Sequence, residues 1–296
     1  MKKSYPFWIR WIIRPILSLV ILEIGLSFVP IPDWWETAIF NDYLYSSRID
    51  KMFSAEEEYN SLGYRDSEWV SDTNSILFLG DSRTFGLFVA KEENYAALVG
   101  SMTGLQGVNL GVPGATTFEA LDSMLPDGLQ YNPSAAVVCL DLNSSLISYV
   151  PRSEATKRRD IFGNIVRSFS TWMMIEGAWH TAFSKRVPII PLEEYGQQLD
   201  LIFEQLTNAG VTKNILLVGW TPLPDHPGLY TREAYDQYRE KSREIARKRN
   251  IPIIEFTKEL DGLTPNQAFV GDHQIHLSAL GHQRIAGAIM RFLYET

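Results

Sequence analysis

Four short segments of this chain carry residue types that can do acyl-transfer chemistry. The first is Leu79-Gly80-Asp81-Ser82-Arg83-Thr84-Phe85-Gly86, where an apolar run ends and a serine follows at once in a glycine-flanked turn. A serine at the carboxyl end of a buried strand sits where open α/β sheets present their ligand-binding groups. It becomes a nucleophile when a base reaches it. The second segment, Val108-Asn109-Leu110-Gly111-Val112-Pro113-Gly114, also ends an apolar run. Glycine there lets a substrate oxygen approach the main chain closely. The third is Leu140-Asp141-Leu142-Asn143-Ser144, whose asparagine amide can donate to a developing oxyanion. The fourth is Gly271-Asp272-His273-Gln274-Ile275-His276-Leu277-Ser278, with His282 a turn further on. A histidine with a nearby carboxylate, here His276 with Asp272, can serve a serine as base and orienter. Each segment alone also reads as a plain turn or helix cap. A metal set drawn from Asp272, His273, His276 and His282 lacks a ligand spacing such as H-E-x-x-H, so neither metal nor cofactor is expected.

These residues need strands and helices to position them. Five short runs are apolar on both faces: Ile76–Leu79, Gly107–Leu110, Ala135–Leu140, Ile215–Val218 and Ile251–Phe256. Strands of that kind belong to a parallel sheet covered by helices on both sides. Helices are expected between them, over Asn94–Met102, Thr117–Leu125, Leu192–Asn208, Arg232–Lys248 and Leu280–Tyr294. The second of these is expected to stop before Pro126. The alternation predicts a three-layer α/β domain with a parallel five-stranded sheet, flavodoxin-like in order, over residues 75–296. Residues 145–191 are long for a connection and carry Trp172, Met173, Met174, Trp179 and Phe183. They are expected to form an insertion, either a packed helical hairpin or a lid.

Charge and composition narrow the partners. The net charge is -8 and no basic stripe runs along the chain, which disfavours a nucleic-acid partner. Hydrophobic residues make up 45% of the chain, enough for a packed core. The single cysteine, Cys139, lies in an apolar run and reads as a core residue. At the N-terminus, Lys2, Lys3, Arg10 and Arg14 precede or enter the apolar stretch Pro15–Val29, with Trp8 and Trp11 placed before it where an aromatic belt would lie. Residues 11–31 reach the length of a membrane span, and Glu23 within it would need a partner or a proton. The positive-inside bias makes residues 1–10 cytoplasmic, 11–31 a transmembrane signal-anchor in contact with membrane lipid, 32–74 a juxtamembrane connector, and the main domain extracytoplasmic.

Taken together, the four segments resemble the SGNH/GDSL hydrolase family. The family has a Gly-Asp-Ser turn, a glycine in a second loop, a Gly-x-Asn-Asp segment, and an Asp-x-x-His before the last helix. Ser82, Gly111, Asn143 and His276 follow in that order. Asn60-Ser61-Leu62-Gly63-Tyr64-Arg65 looks like the segment that precedes the domain in membrane-anchored members. Two positions depart from the pattern. The third block reads Asp141-Leu142-Asn143-Ser144, and the residue three before His276 is His273, with Asp272 one place further upstream. The G-x-S-x-G elbow of the α/β-hydrolases is absent.

The resemblance implies a serine esterase. His276, oriented by Asp272, would take the Ser82 proton as Ser82 attacks an ester carbonyl. The N–H groups of Ser82 and Gly111 and the Asn143 amide would form the oxyanion hole. The acyl-enzyme would then pass to water. Acetyl esters, including those of acylated polysaccharide in the cell envelope, are the expected substrates. Transfer to a sugar hydroxyl would make the chain an O-acyltransferase instead. A non-catalytic domain that binds a glycan or a partner is the third reading, motivated by the two departures.

Overall fold

The computed structural model describes residues 59–71, 73–148, 187–219, 231–270 and 275–295, with Leu17, Ser18 and Ile21 as isolated positions. Five strands form one sheet: β1 (Ser75–Gly80), β2 (Gln106–Asn109), β3 (Pro133–Cys139), β4 (Lys213–Val218) and β5 (Ile253–Glu255). All pairings are parallel, in the order β2-β1-β3-β4-β5. This is the flavodoxin-like order, whose direction reverses between β1 and β3. Every residue of β1 is buried, as a central strand covered on both sides requires.

Alternation along the strands divides the core in two. Leu77, Leu79, Val108, Leu110, Ala136, Val138, Leu216 and Val218 face one side. There they meet Leu199, Ile202, Phe203 and Leu206 of α4 (Leu192–Asn208) and Tyr238 and Ile245 of α5 (Arg232–Arg249). Ile76, Phe78, Ala135, Val137, Cys139, Ile215 and Leu217 face the other side. Their partners are Tyr95, Ala96 and Val99 of α2 (Tyr95–Thr103) and Ile285, Ala286, Ala288 and Ile289 of α6 (Ala279–Glu295). Local signals set the ends of these helices. Asn94 caps α2 by accepting from the Ala97 N–H, and Gly104 closes it with φ 69°.

Two elements differ from the sequence expectation. Helical structure beginning at Thr117 runs on through Pro126 to Gly128. The turn over Ala120–Met124 is a π turn in which the Leu125 N–H bonds to the Ala120 carbonyl. That shift takes up the ladder bond which proline cannot make, so Pro126 opens a fresh turn rather than ending the helix. The second difference is a pair of four-residue helices that no periodicity announces: α1 (Ser82–Phe85) and α3 (Asp141–Ser144). A short antiparallel pair, β6 (Phe269–Val270) with β7 (His276–Leu277), completes the set that positions the site.

Most of residues 11–31 and all of 149–186 lie outside the described residues, and with them the expected membrane span and all but the two ends of the expected insertion over 145–191, where Ile147–Ser148 pairs antiparallel with Val187–Pro188. Among the described residues no helix is long and apolar enough to cross a membrane. Residues 59–71 pack on the domain. Tyr64 is buried and its hydroxyl donates to Asp127 Oδ2 at 2.8 Å.

Candidate active site

The site is assembled at the carboxyl ends of β1 and β3, on either side of the switch in strand order. Immediately after β1, Asp81 caps α1 by accepting from the Arg83 N–H at 2.9 Å. The cap turns the chain sharply and leaves Ser82 as the first residue of α1. The Ser82 N–H has no partner among the described residues, as expected of a first-turn amide. β7 brings His276 to the same place, and its Nε2 lies 3.0 Å from Ser82 Oγ. Nucleophile and base are therefore in hydrogen-bond contact across 194 residues of sequence. Asp272 and His273 lie outside the described residues.

Of the remaining candidates, Asn143 sits in α3, buried, with Nδ2 donating to the Ala115 carbonyl at 3.2 Å. That bond uses one of the two amide hydrogens and ties α3 to the loop after β2. Gly111 is placed differently from the expectation. Its N–H donates to Asn109 Oδ1 at 2.9 Å, so it is already engaged. The backbone of α1 approaches its Cα: a Cβ there would lie 2.2 Å from the Phe85 nitrogen. Glycine at 111 thus lets the second loop pack against the nucleophile's helix. Gly114, with φ 78°, is the loop residue whose amide has no partner among the described residues.

Beneath the serine lies a buried ionic cluster. Arg83 Nη2 is 2.7 Å from both Asp81 Oδ2 and Asp141 Oδ1, and all three side chains are almost wholly inaccessible. The other oxygen of Asp141 accepts from the Gly219 N–H at 2.8 Å and the Tyr235 hydroxyl at 3.1 Å. Burial alone would lower the Arg83 pKa, and the charges of Asp81 and Asp141 outweigh it, so the guanidinium holds its proton. The cluster joins the turns after β1, β3 and β4 to α5. The third block's departure from the family pattern has a partner here: Asp141 stands where the family has glycine, and Arg83 neutralises it. The sequence showed these charges at strand ends, but nothing in it paired residues 58 positions apart.

A second buried group, His282, supports the site from α6. Its Nδ1 accepts from the Tyr95 N–H at 3.2 Å, while Nε2 is buried with no partner among the described residues. The Tyr95 hydroxyl in turn lies 2.5 Å from Thr84 Oγ1 of α1. Burial, helped by the charges of Arg65 and His276, pushes the His282 pKa down to about 3. The unfolded chain therefore binds a proton below about pH 6.5 that the folded chain refuses until about pH 3. Stability from this group is fully present above pH 6.5 and is lost as pH falls through that window. His282→Asn, which keeps an acceptor for the Tyr95 N–H, is expected to flatten the fall in thermal midpoint between pH 6.5 and pH 4. Scanning calorimetry of both proteins across that range checks it. Equal slopes would mean that other groups drive the acid loss.

The loop between α1 and α2 frames the outer side of the pair. Buried Arg65 donates from Nη1 to the Gly86 carbonyl and from Nη2 to the Val89 carbonyl, each at 2.8 Å. Between these two anchors Phe88 adopts φ 72°. Its ring lies 5.2 Å from the His276 ring, nearly perpendicular to it.

Known proteins share this fold. Residues 78–284 match the GDSL-like lipase/acylhydrolase family. No curated protein matches the chain by sequence. Among solved structures, an acetylxylan esterase from Geobacillus stearothermophilus is 21% identical with a TM-score of 0.50, covering 76% of this chain and 95% of that one. A catalytic mutant of the same enzyme gives a TM-score of 0.51 at 19% identity, over 76% and 95% of the two chains. A protein of the lipolytic G-D-S-L family from Desulfitobacterium hafniense DCB-2 is 18% identical with a TM-score of 0.50, over 74% and 98%. At these identities the structures speak for the fold alone, whereas the family match spans both Ser82 and His276. The chain belongs to the GDSL-like lipase/acylhydrolase family and is a carboxylic ester hydrolase.

Proposed function

We propose that the chain is a serine esterase that removes acetyl groups from glycan esters through an acyl-Ser82 intermediate. The observation that carries the reading is the 3.0 Å contact between Ser82 Oγ and His276 Nε2 at the carboxyl ends of the central strands. His276 accepts the serine proton as Oγ attacks the ester carbonyl. It then returns that proton to the departing alkoxide, and the alcohol leaves. Water, deprotonated by the same ring, attacks the acyl-enzyme and releases the acid. Asp272 is the carboxylate assigned to orient His276.

The oxyanion hole in this reading comprises the unpaired Ser82 N–H and the second hydrogen of the Asn143 amide. Gly111 joins them only by giving up its bond to Asn109. The Gly114 N–H, one residue from the carbonyl that holds Asn143, is the better-placed donor of that loop. Acetyl esters of glycans are supported by the fold held in common with an enzyme named as an acetylxylan esterase. An extracytoplasmic position is supported by Lys2, Lys3 and Arg10, which precede the apolar stretch of residues 11–31, and by Arg14 at its start.

The test is covalent labelling of the full-length chain, purified in detergent, with a fluorophosphonate. The expected result is a label on Ser82 that is absent from Ser82→Ala and strongly reduced in His276→Ala. A folded wild-type protein that takes no label would overturn the reading, because a serine activated by its histidine reacts with such reagents.

A further inference from the structure

We propose that Phe88 is a substrate-specificity residue whose exposed ring receives the sugar ring in the alcohol half of the ester. The inference rests on the esterase reading above and goes beyond it by assigning a recognition site for the leaving group.

Packing does not account for a phenylalanine at this position. Its side chain is 59% exposed, so it contributes little to a core. Its backbone sits at φ 72°, the left-handed region that bulky side chains avoid and that glycine or asparagine would occupy without strain. Such strain persists only where surrounding structure over-determines the conformation. Here it does. The Val89 N–H bonds to the Gly86 carbonyl at 3.3 Å, and Arg65 grips the carbonyls of Gly86 and Val89 from beneath, with its guanidinium over the Phe85 ring at 5.1 Å. A buried cation thus holds the loop in a shape that makes the Phe88 side chain stand outward. The ring stands beside His276, with 5.2 Å between centroids and 81° between planes.

Chemistry decides which half of the substrate it meets. In ester cleavage the acyl oxygen turns toward the oxyanion donors, here on the Asn143 side. The leaving oxygen must face the general acid, His276. A group packed beside His276 therefore meets the alcohol, not the acyl chain. The shape of the surface decides what kind of alcohol. An aromatic ring largely open to water suits a pyranose, which lays its apolar C–H face on the ring and leaves its hydroxyl edges hydrated. A long alkyl alcohol would require an enclosed apolar channel, since a single open face buries little of it.

The experiment compares kcat/KM of the full-length protein for an acetylated methyl xylopyranoside and for ethyl acetate, an acyclic ester of the same acid. The ratio of the two is expected to fall about tenfold in Phe88→Gly, chiefly through KM, the size of one aromatic contact. Phe88→Tyr is expected to keep the ratio. The thermal midpoint of Phe88→Gly should not fall, because glycine relieves the left-handed backbone, whereas a phenylalanine retained for structure would lower it. If both esters lose activity by the same factor, the ring only props His276 and the inference is overturned. An unchanged ratio overturns it as well. If the wild type cleaves ethyl acetate and not the xyloside, the inference falls while the esterase reading stands. If it cleaves neither, the inference falls, and labelling of Ser82 decides separately whether the esterase reading survives.

Discussion

Ser82→Ala and His276→Ala are each expected to lower kcat for an acetyl ester by at least about a thousandfold, because the pair acts as one unit. The two groups share a single proton transfer across 3.0 Å, so removing either leaves the other without a task. The double variant should accordingly be no slower than the worse single one. Stability should barely move. Ser82 loses one side-chain hydrogen bond, worth about 0.5–1.5 kcal/mol, or roughly 2–5 °C in a domain of this size. Steady-state kinetics on all three variants, with calorimetry as the fold control, checks the expectation. Multiplicative losses in the double variant would show two independent contributions and would exclude the assigned base–nucleophile relation.

Arg83→Met is expected to be the most destabilising change near the site. It deletes the cation that Asp81 and Asp141 share and leaves two inaccessible carboxylates facing each other. Removing one partner from a buried pair costs about 3–5 kcal/mol, and two anions are orphaned here, so the upper end applies. That corresponds to a fall of roughly 10–20 °C in thermal midpoint. The loss should have a distinctive pH dependence. Without the cation, burial and mutual repulsion raise a carboxylate's folded pKa above its unfolded value. The folded variant then binds more protons than the unfolded chain between those two values, so its deficit shrinks as pH falls through that window. The double change Arg83→Met with Asp141→Asn should recover part of the loss. It removes one orphaned charge and keeps an oxygen to accept from Gly219 and Tyr235. A deficit that is the same at pH 7 and pH 5 would mean that packing, not charge, holds this cluster.

How far the sequence reveals this molecule depends on the range of each interaction. The five strands were legible because burial on both faces leaves a continuous apolar run, as in Ile76–Leu79 and Ala135–Leu140. The long helices were legible from their caps, such as Asn94 and Gly104 around α2. The four-residue helices α1 and α3 were not, because one turn is too short to show a period. The π turn before Pro126 was missed for a related reason. A proline reads as a stop unless the preceding turn shifts its bonding, and that shift has no residue signature. At the site, Ser82 and Asn143 could be picked out by their place after apolar runs, and His276 by its place before the last helix with a carboxylate nearby. The partner of Asp141 could not, since the pairing with Arg83 exists only once β1 and β3 lie side by side. Gly111 illustrates the limit of residue type. A glycine marks a close approach, but only coordinates show that the approaching group is the backbone of Thr84 and Phe85.

The separation of 194 residues between serine and histidine also sets a temporal order for the enzyme's birth. During synthesis the chain emerges from its N-terminal end, and β1, β2 and β3, with the cap at Asp81 and the Arg83–Asp141 bridge, are all made before β7 exists. Until β7 is made, Ser82 has no imidazole to take its proton. Reactivity appears only when β7 docks beside β6 and delivers the imidazole. The nucleophile therefore gains its base only with the last elements of the chain.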